Sequence, residues 1–227
     1  MKKNIILIFG FPHSGTTILR KIIGRCEDIY EYKHETWKIT DEMKINEKKE
    51  KNILIKWPFA ANEFFEDDEY KDVKKVFIIR NPYYIFSSLN TRLNSNLGIG
   101  HTVDYYYGTI KRYTNLIKEP RHDIYCIKYE DLFKNNYQEI KNIINYLGLR
   151  YSSLIFEQSD KLPEVIPDCV FEHDKYREYQ NQLFLENFNG KKPLNLTKEN
   201  INNLNKIKEI DTIYPGIKKQ IEKINLK

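Results

Sequence analysis

Ile5-Ile6-Leu7-Ile8-Phe9-Gly10-Phe11-Pro12-His13-Ser14-Gly15-Thr16-Thr17-Ile18-Leu19 is the stretch that decides the fold. Its apolar run Ile5–Phe9, ended by a glycine, reads as a strand buried on both faces. A loop with two glycines follows, and from Thr16 the pattern turns helical. Strand, glycine loop and helix in that order let successive backbone N–H groups and the positive helix end surround a phosphate. The glycines and Thr17 fit the spacing G-x-x-x-x-G-K-[ST], but Thr16 stands where that pattern has lysine. The missing lysine would reach the β- and γ-phosphates, so chemistry on a nucleoside triphosphate is disfavoured while a single phosphate still suits the loop.

Outward from this stretch, Ile53–Trp57, Val76–Ile79 and Ile124–Lys128 repeat the short apolar run, and Ile29–Tyr32 is a weaker one. Helices are expected over Thr16–Arg25, Tyr84–Leu93, Tyr105–Ile117, Tyr137–Leu147, Lys198–Ile210 and Gly216–Ile224. Ile140, Ile143, Ile144 and Leu147 recur at helical spacing, with Gly148 behind them as a natural C-terminal cap. The alternation predicts a three-layer α/β fold, P-loop NTPase-like, with a central, mostly parallel sheet of about five strands between helices. Residues 1–227 read as one domain, with acceptor or lid segments at 94–108 and 152–192. The charge run Lys44–Lys51 reads as a solvated helix face or loop.

A hydrophobic fraction of 41% over 227 residues supports a packed core and excludes wholesale disorder. Lys plus Arg 37 against Asp plus Glu 32 leaves a net charge of +5. That balance is too weak and dispersed for nucleic acid, but it suits a small polyanion in one basic cleft. No apolar run reaches the roughly 20 residues that span a bilayer, and Ile5–Phe9 is too short for a secretion signal. Cys26, Cys126 and Cys169 are widely spaced and form no C-x-x-C pair, which fits a reducing compartment. A cytoplasmic protein is expected.

A second anion-binding element follows the run Val76–Ile79, which ends in Arg80 and not in the acidic residue a metal-dependent triphosphate site calls for. Arg80-Asn81-Pro82 follows the strand, and Ser88 lies eight residues beyond Arg80, inside the helix expected over Tyr84–Leu93. An arginine at a strand's carboxyl end, with a serine on the next helix, can grip a second phosphate.

Together, Gly10–Thr17 and the Arg80-Asn81-Pro82…Ser88 element resemble the sulfotransferases that use 3′-phosphoadenosine 5′-phosphosulfate. Lys128-Tyr129-Glu130-Asp131-Leu132, Tyr146-Leu147-Gly148 and Gly190-Lys191-Lys192-Pro193 agree more weakly with the same family. The resemblance implies that Pro12, His13, Ser14, Gly15, Thr16 and Thr17 hold the 5′-phosphosulfate, and that Arg80 and Ser88 hold the 3′-phosphate. It adds charge from Lys191 or Lys192, and an aromatic edge for adenine from Tyr129 or Trp57. The donor cosubstrate is then 3′-phosphoadenosine 5′-phosphosulfate, with no metal expected, and the acceptor is a small molecule, carbohydrate or lipid.

His13 stands where the family commonly has lysine or arginine, so the group that stabilises the bridging oxygen is open between His13 and Lys56. An imidazole is cationic only below about pH 6.5 unless shifted, so a role for His13 implies a pH-sensitive rate. Glu35 is the expected general base, with His34 second. Arg20 is expected to pair with surface acids. A nucleotide-dependent kinase, and a binding module that keeps the 3′,5′-ADP site without turnover, are the competing readings.

Overall fold

The computed structural model describes residues 3–36, 38–40, 50–92, 99–156 and 194–225. Strands β1 (Asn4–Gly10), β2 (Ile29–Glu35), β3 (Asn52–Trp57), β4 (Lys74–Ile79) and β5 (Ile124–Lys128) form one sheet in the order β2-β3-β1-β4-β5. Every neighbouring pair is parallel. The continuous apolar runs follow from this arrangement, because a parallel sheet with helices on both faces leaves neither face for water.

Side chains alternate cleanly between two cores. Leu7, Phe9, Ile53, Ile55, Phe77 and Ile79 face one layer, where they meet Tyr106, Ile110, Tyr113, Leu204 and Ile210. Ile6, Ile8, Leu54, Val76 and Ile78 face the other, against Ile18, Leu19, Ile22, Ile140, Ile143 and Ile144. The first layer holds α4 (Val103–Lys118), α6 (Lys198–Asn205) and α7 (Lys208–Ile213); the second holds α1 (Thr16–Ile23) and α5 (Gln138–Leu147). Also present are α2 (Glu63–Glu66), α3 (Pro82–Arg92) and α8 (Ile217–Asn225). The α/β fold class read from the sequence is the one observed.

Helix ends carry the local signals that chemistry demands. Asn81 accepts the Tyr83 N–H at 3.1 Å, and Pro82 occupies the first helical position of α3, where no N–H is needed. Gly148 closes α5 in the left-handed region at φ 71°. Thr197 and Asn200 cap α6 reciprocally.

One expectation changes. The helix expected over Lys198–Ile210 breaks at Lys206–Ile207 into α6 and α7. There Ile207 turns extended and buries its side chain, and Lys218 of α8 donates to the Asn205 carbonyl at 2.8 Å. Tyr105, Tyr106 and Tyr107 stand on α4, where the helix over Tyr105–Ile117 is expected. Tyr106 belongs to the core, while Tyr107 is 41% exposed. The charge run over residues 44–49 and most of the segment 152–192 lie outside the described residues.

Candidate active site

Strand β1 is central in the sheet, so the loop after it opens at the middle of the carboxyl edge, where open α/β sheets bind ligands. Two glycines make the loop possible. A Cβ at Gly10 would lie 2.1 Å from the Ile78 carbonyl oxygen, so β1 and β4 could not pair as they do. Gly15 has φ 101°, and a Cβ there would lie 2.5 Å from the Tyr129 ring. His13, with φ 65°, also takes the left-handed conformation.

Ser14 is fully buried in this loop, and its Oγ has no hydrogen-bond partner among the described residues. Helix α1 begins at Thr16 without a side-chain cap. A buried hydroxyl at an uncapped helix N-terminus fits a bound anion, which would supply the missing partner.

Pleat alternation places Lys56 on the α1 side of β3 and Trp57 on the other side, where it packs on Phe59. The buried Lys56 ammonium donates to Thr17 Oγ1 at 2.8 Å and forms a closer ion pair with Glu35. A register shift between Glu31 and Glu35 brings Glu35 opposite Lys56. One cation thus joins the start of α1 to the acid at the end of β2. The backbone of His34 lies in β2; its side chain, and Lys191 and Lys192, lie outside the described residues.

Across the loop, Arg80 donates to the His13 carbonyl at 3.2 Å, and its guanidinium lies 4.4 Å from the Tyr129 ring centre. His13 Nδ1 and Ser88 Oγ are hydrogen-bonded at 2.9 Å. Pro12 is buried beside them. Arg80, Ser88 and the loop therefore form one continuous surface. Tyr129, read as an edge for adenine, is only 2% exposed and packs between Arg80 and Gly15.

Arg20 is not at the surface. It is 1% exposed and pairs with Glu31 at 2.9 Å. Burial raises the Glu31 carboxyl above its ordinary value despite the cations around it. The Cys26 and Cys126 thiols are pushed up to about 12, mainly by burial, which makes them poor nucleophiles at neutral pH.

Sequence reasoning missed two groups behind Arg80. Tyr106 donates its hydroxyl to the Arg80 carbonyl at 3.0 Å, and Glu130 accepts the Asn81 N–H at 2.9 Å. Glu130 lies in the motif Tyr129-Glu130-Asp131-Leu132, which was itself legible.

A parallel α/β sheet with a glycine loop and a basic group at the next strand end defines a phosphate-binding class of fold. Within that class, the chain belongs to the sulfotransferase domain family, which matches residues 3–209. No curated protein matches it in sequence. Among solved structures it is similar to the sulfotransferase domain of the Synechococcus PCC 7002 olefin synthase, at 15% identity and TM-score 0.54, covering 91% of this chain and 95% of that one. It is also similar to the sulfotransferase from Alicyclobacillus acidocaldarius, at 16% identity and TM-score 0.46, covering 79% and 90%. Mouse sulfotransferase SULT7A1 complexed with PAP aligns at 16% identity and TM-score 0.49, covering 67% of this chain; the chain spans 61% of the mouse protein. At 15% identity the likeness to the Synechococcus domain is one of fold. No helix among the described residues is long and apolar enough to cross a membrane.

Proposed function

We propose that the chain transfers a sulfonate from 3′-phosphoadenosine 5′-phosphosulfate to a hydroxyl or amine of a small-molecule, carbohydrate or lipid acceptor in the cytoplasm. The observation that carries this reading is the bridge of His13 between two anion-binding elements: its carbonyl accepts from Arg80 and its Nδ1 is bonded to Ser88. A ligand with phosphates at both ends matches that surface; a triphosphate, which needs charge only at the loop, does not.

In this reading Ser14, Gly15, Thr16 and Thr17 hold the 5′-phosphosulfate, while Arg80 and Ser88 hold the 3′-phosphate. Asn195, just past Lys191 and Lys192 in sequence, donates its N–H to Ser87 at 2.8 Å, which supports the same role for that basic pair. Glu35 takes the acceptor proton as the acceptor's oxygen or nitrogen bonds to sulfur. The bond from sulfur to the bridging oxygen breaks, and 3′,5′-ADP leaves with the electron pair. Lys56 is assigned to the charge on that oxygen because it already contacts Thr17, whereas His13 Nδ1 is engaged by Ser88.

Thermal unfolding with 3′,5′-ADP, 5′-AMP, ADP and ATP, the last with and without Mg²⁺, tests this. Saturation at a hundred times Kd adds about 2.7 kcal/mol to stability. A selective, metal-independent shift with 3′,5′-ADP is expected. A shift with ATP and Mg²⁺ alone overturns the reading in favour of a kinase.

A further inference from the structure

The peptide unit joining Arg80 to Asn81 lies between the last residue of β4 and the first of α3, outside any ladder or helix. Both of its polar groups are nevertheless bonded, and both to side chains. Its carbonyl accepts from the Tyr106 hydroxyl at 3.0 Å, and its N–H donates to Glu130 Oε1 at 2.9 Å. A planar unit gripped at both poles has no rotation left, so the direction in which the Arg80 side chain leaves the backbone is fixed.

Both grips are rigid. Tyr106 is fully buried, with its ring centre 5.2 Å from that of Phe11 in the phosphate loop and 6.1 Å from that of Phe86 on α3. Burial holds its hydroxyl well above the ordinary tyrosine range, so it stays protonated and donates. Glu130 sits on the short helical turn Tyr129–Asp131, next to the ring over which the Arg80 guanidinium lies. Backbone and guanidinium of Arg80 are thus aligned by neighbouring residues of one turn and by a helix from the opposite core.

We infer that Tyr106 and Glu130 are positioning residues for Arg80 and set the preference of this site for nucleotides bearing a 3′-phosphate. The inference rests on the proposed role of Arg80 as the 3′-phosphate clamp. Neither residue needs to touch the ligand. Each acts by keeping a planar, forked donor pointed along one line, where a bidentate pair gains most from orientation.

Isothermal titration of the full chain with 3′,5′-ADP and 5′-AMP tests it, the second ligand reporting an intact loop. Tyr106→Phe keeps the ring and removes the hydroxyl. It is expected to weaken 3′,5′-ADP about three- to tenfold, the range of one hydrogen bond, with 5′-AMP changed less than about twofold. Glu130→Ala is expected to do the same, while Glu130→Gln, which still offers an oxygen to the Asn81 N–H, restores the discrimination. Equal loss of both ligands in Tyr106→Phe means a merely structural role and overturns the inference. So does an unchanged ratio in Tyr106→Phe when Arg80→Ala abolishes it. If Arg80→Ala itself leaves the ratio unchanged, the clamp reading has failed, and the inference fails with it for that separate, visible reason.

Discussion

His13 Nδ1 and Ser88 Oγ, 75 positions apart in the chain, meet at 2.9 Å and tie the phosphate loop to helix α3. Residues in direct contact within one polar network do not respond independently to mutation. A double-mutant cycle with His13→Asn and Ser88→Ala, read as affinity for 3′,5′-ADP, is expected to show a coupling of about 0.5–3 kcal/mol. Additivity within about 0.3–0.5 kcal/mol would mean that the contact is incidental to binding.

Lys56 and His13 make opposite demands on pH. With Lys56 bearing the leaving-group charge, Lys56→Met is expected to lower kcat about 10²–10³-fold, and turnover does not fall as the pH rises through the imidazole range near 6.5. With His13 in that role, turnover falls as the imidazole deprotonates, and His13→Lys flattens the profile. The pH–rate curves of the two variants decide between them.

Glu35 is expected to remove the acceptor proton, so Glu35→Gln should lower kcat about 10²–10⁴-fold while 3′,5′-ADP still binds. His34→Asn should retain most activity. The reverse pattern makes His34 the base and leaves Glu35 as the partner that orients Lys56.

Gly15→Ala combines a strained φ with a clash against the Tyr129 ring. A loss of about 1–3 kcal/mol is expected from the backbone conformation, together with loss of nucleotide binding. Adding Tyr129→Ala removes the clash but not the strain, so chemical denaturation should show only partial recovery. Full recovery would mean that the glycine is required only for space.

At the opposite end of the sheet, Lys75 pairs with Asp123 at 2.7 Å, both buried, and Arg121 grips the same carboxylate at 2.8 and 2.9 Å. Burial alone pushes the Asp123 carboxyl up, but the hydrogen bonds and charges of Arg121 and Lys75 outweigh it, and the group lies below its ordinary value. Burial holds Lys75 below the usual lysine range even with that partner. A depressed carboxyl contributes stability above its unfolded value, near pH 4, and loses it as the pH falls through the folded value. Asp123→Asn is expected to cost about 3–5 kcal/mol at neutral pH, because Lys75 is left charged and unpaired. The variant's denaturation midpoint should also depend less on pH below about 4; an unchanged slope would assign the acid sensitivity to other carboxylates.

Much of this was legible in sequence because it is local. Ile5–Phe9 and Val76–Ile79 are continuous apolar runs and Ile53–Trp57 is broken only by Lys56, the pattern of strands covered on both faces. Gly148 announced its helix end by conformational need. What escaped depends on contacts between distant residues. The break at Ile207 has no glycine or proline to mark it and is supported by Lys218 from another helix. Arg20 reads as a surface cation until β2 is known to carry Glu31 beneath it. The Tyr106 hydroxyl reaches Arg80 only because α4 crosses under the end of β4.

The sheet order also bears on synthesis. Strand β1 emerges first yet occupies the centre, with β3 and β4 as its partners. Until residue 79 has left the ribosome, the most apolar strand of the chain has an unpaired edge. At about 5–20 residues per second, the roughly seventy residues between β1 and the end of β4 take several seconds to make. Ile5–Phe9 lacks both native neighbours until Asn52–Trp57 is made and one of them until Lys74–Ile79 follows, so the nascent chain is exposed to aggregation early, well before any nucleotide can help it fold.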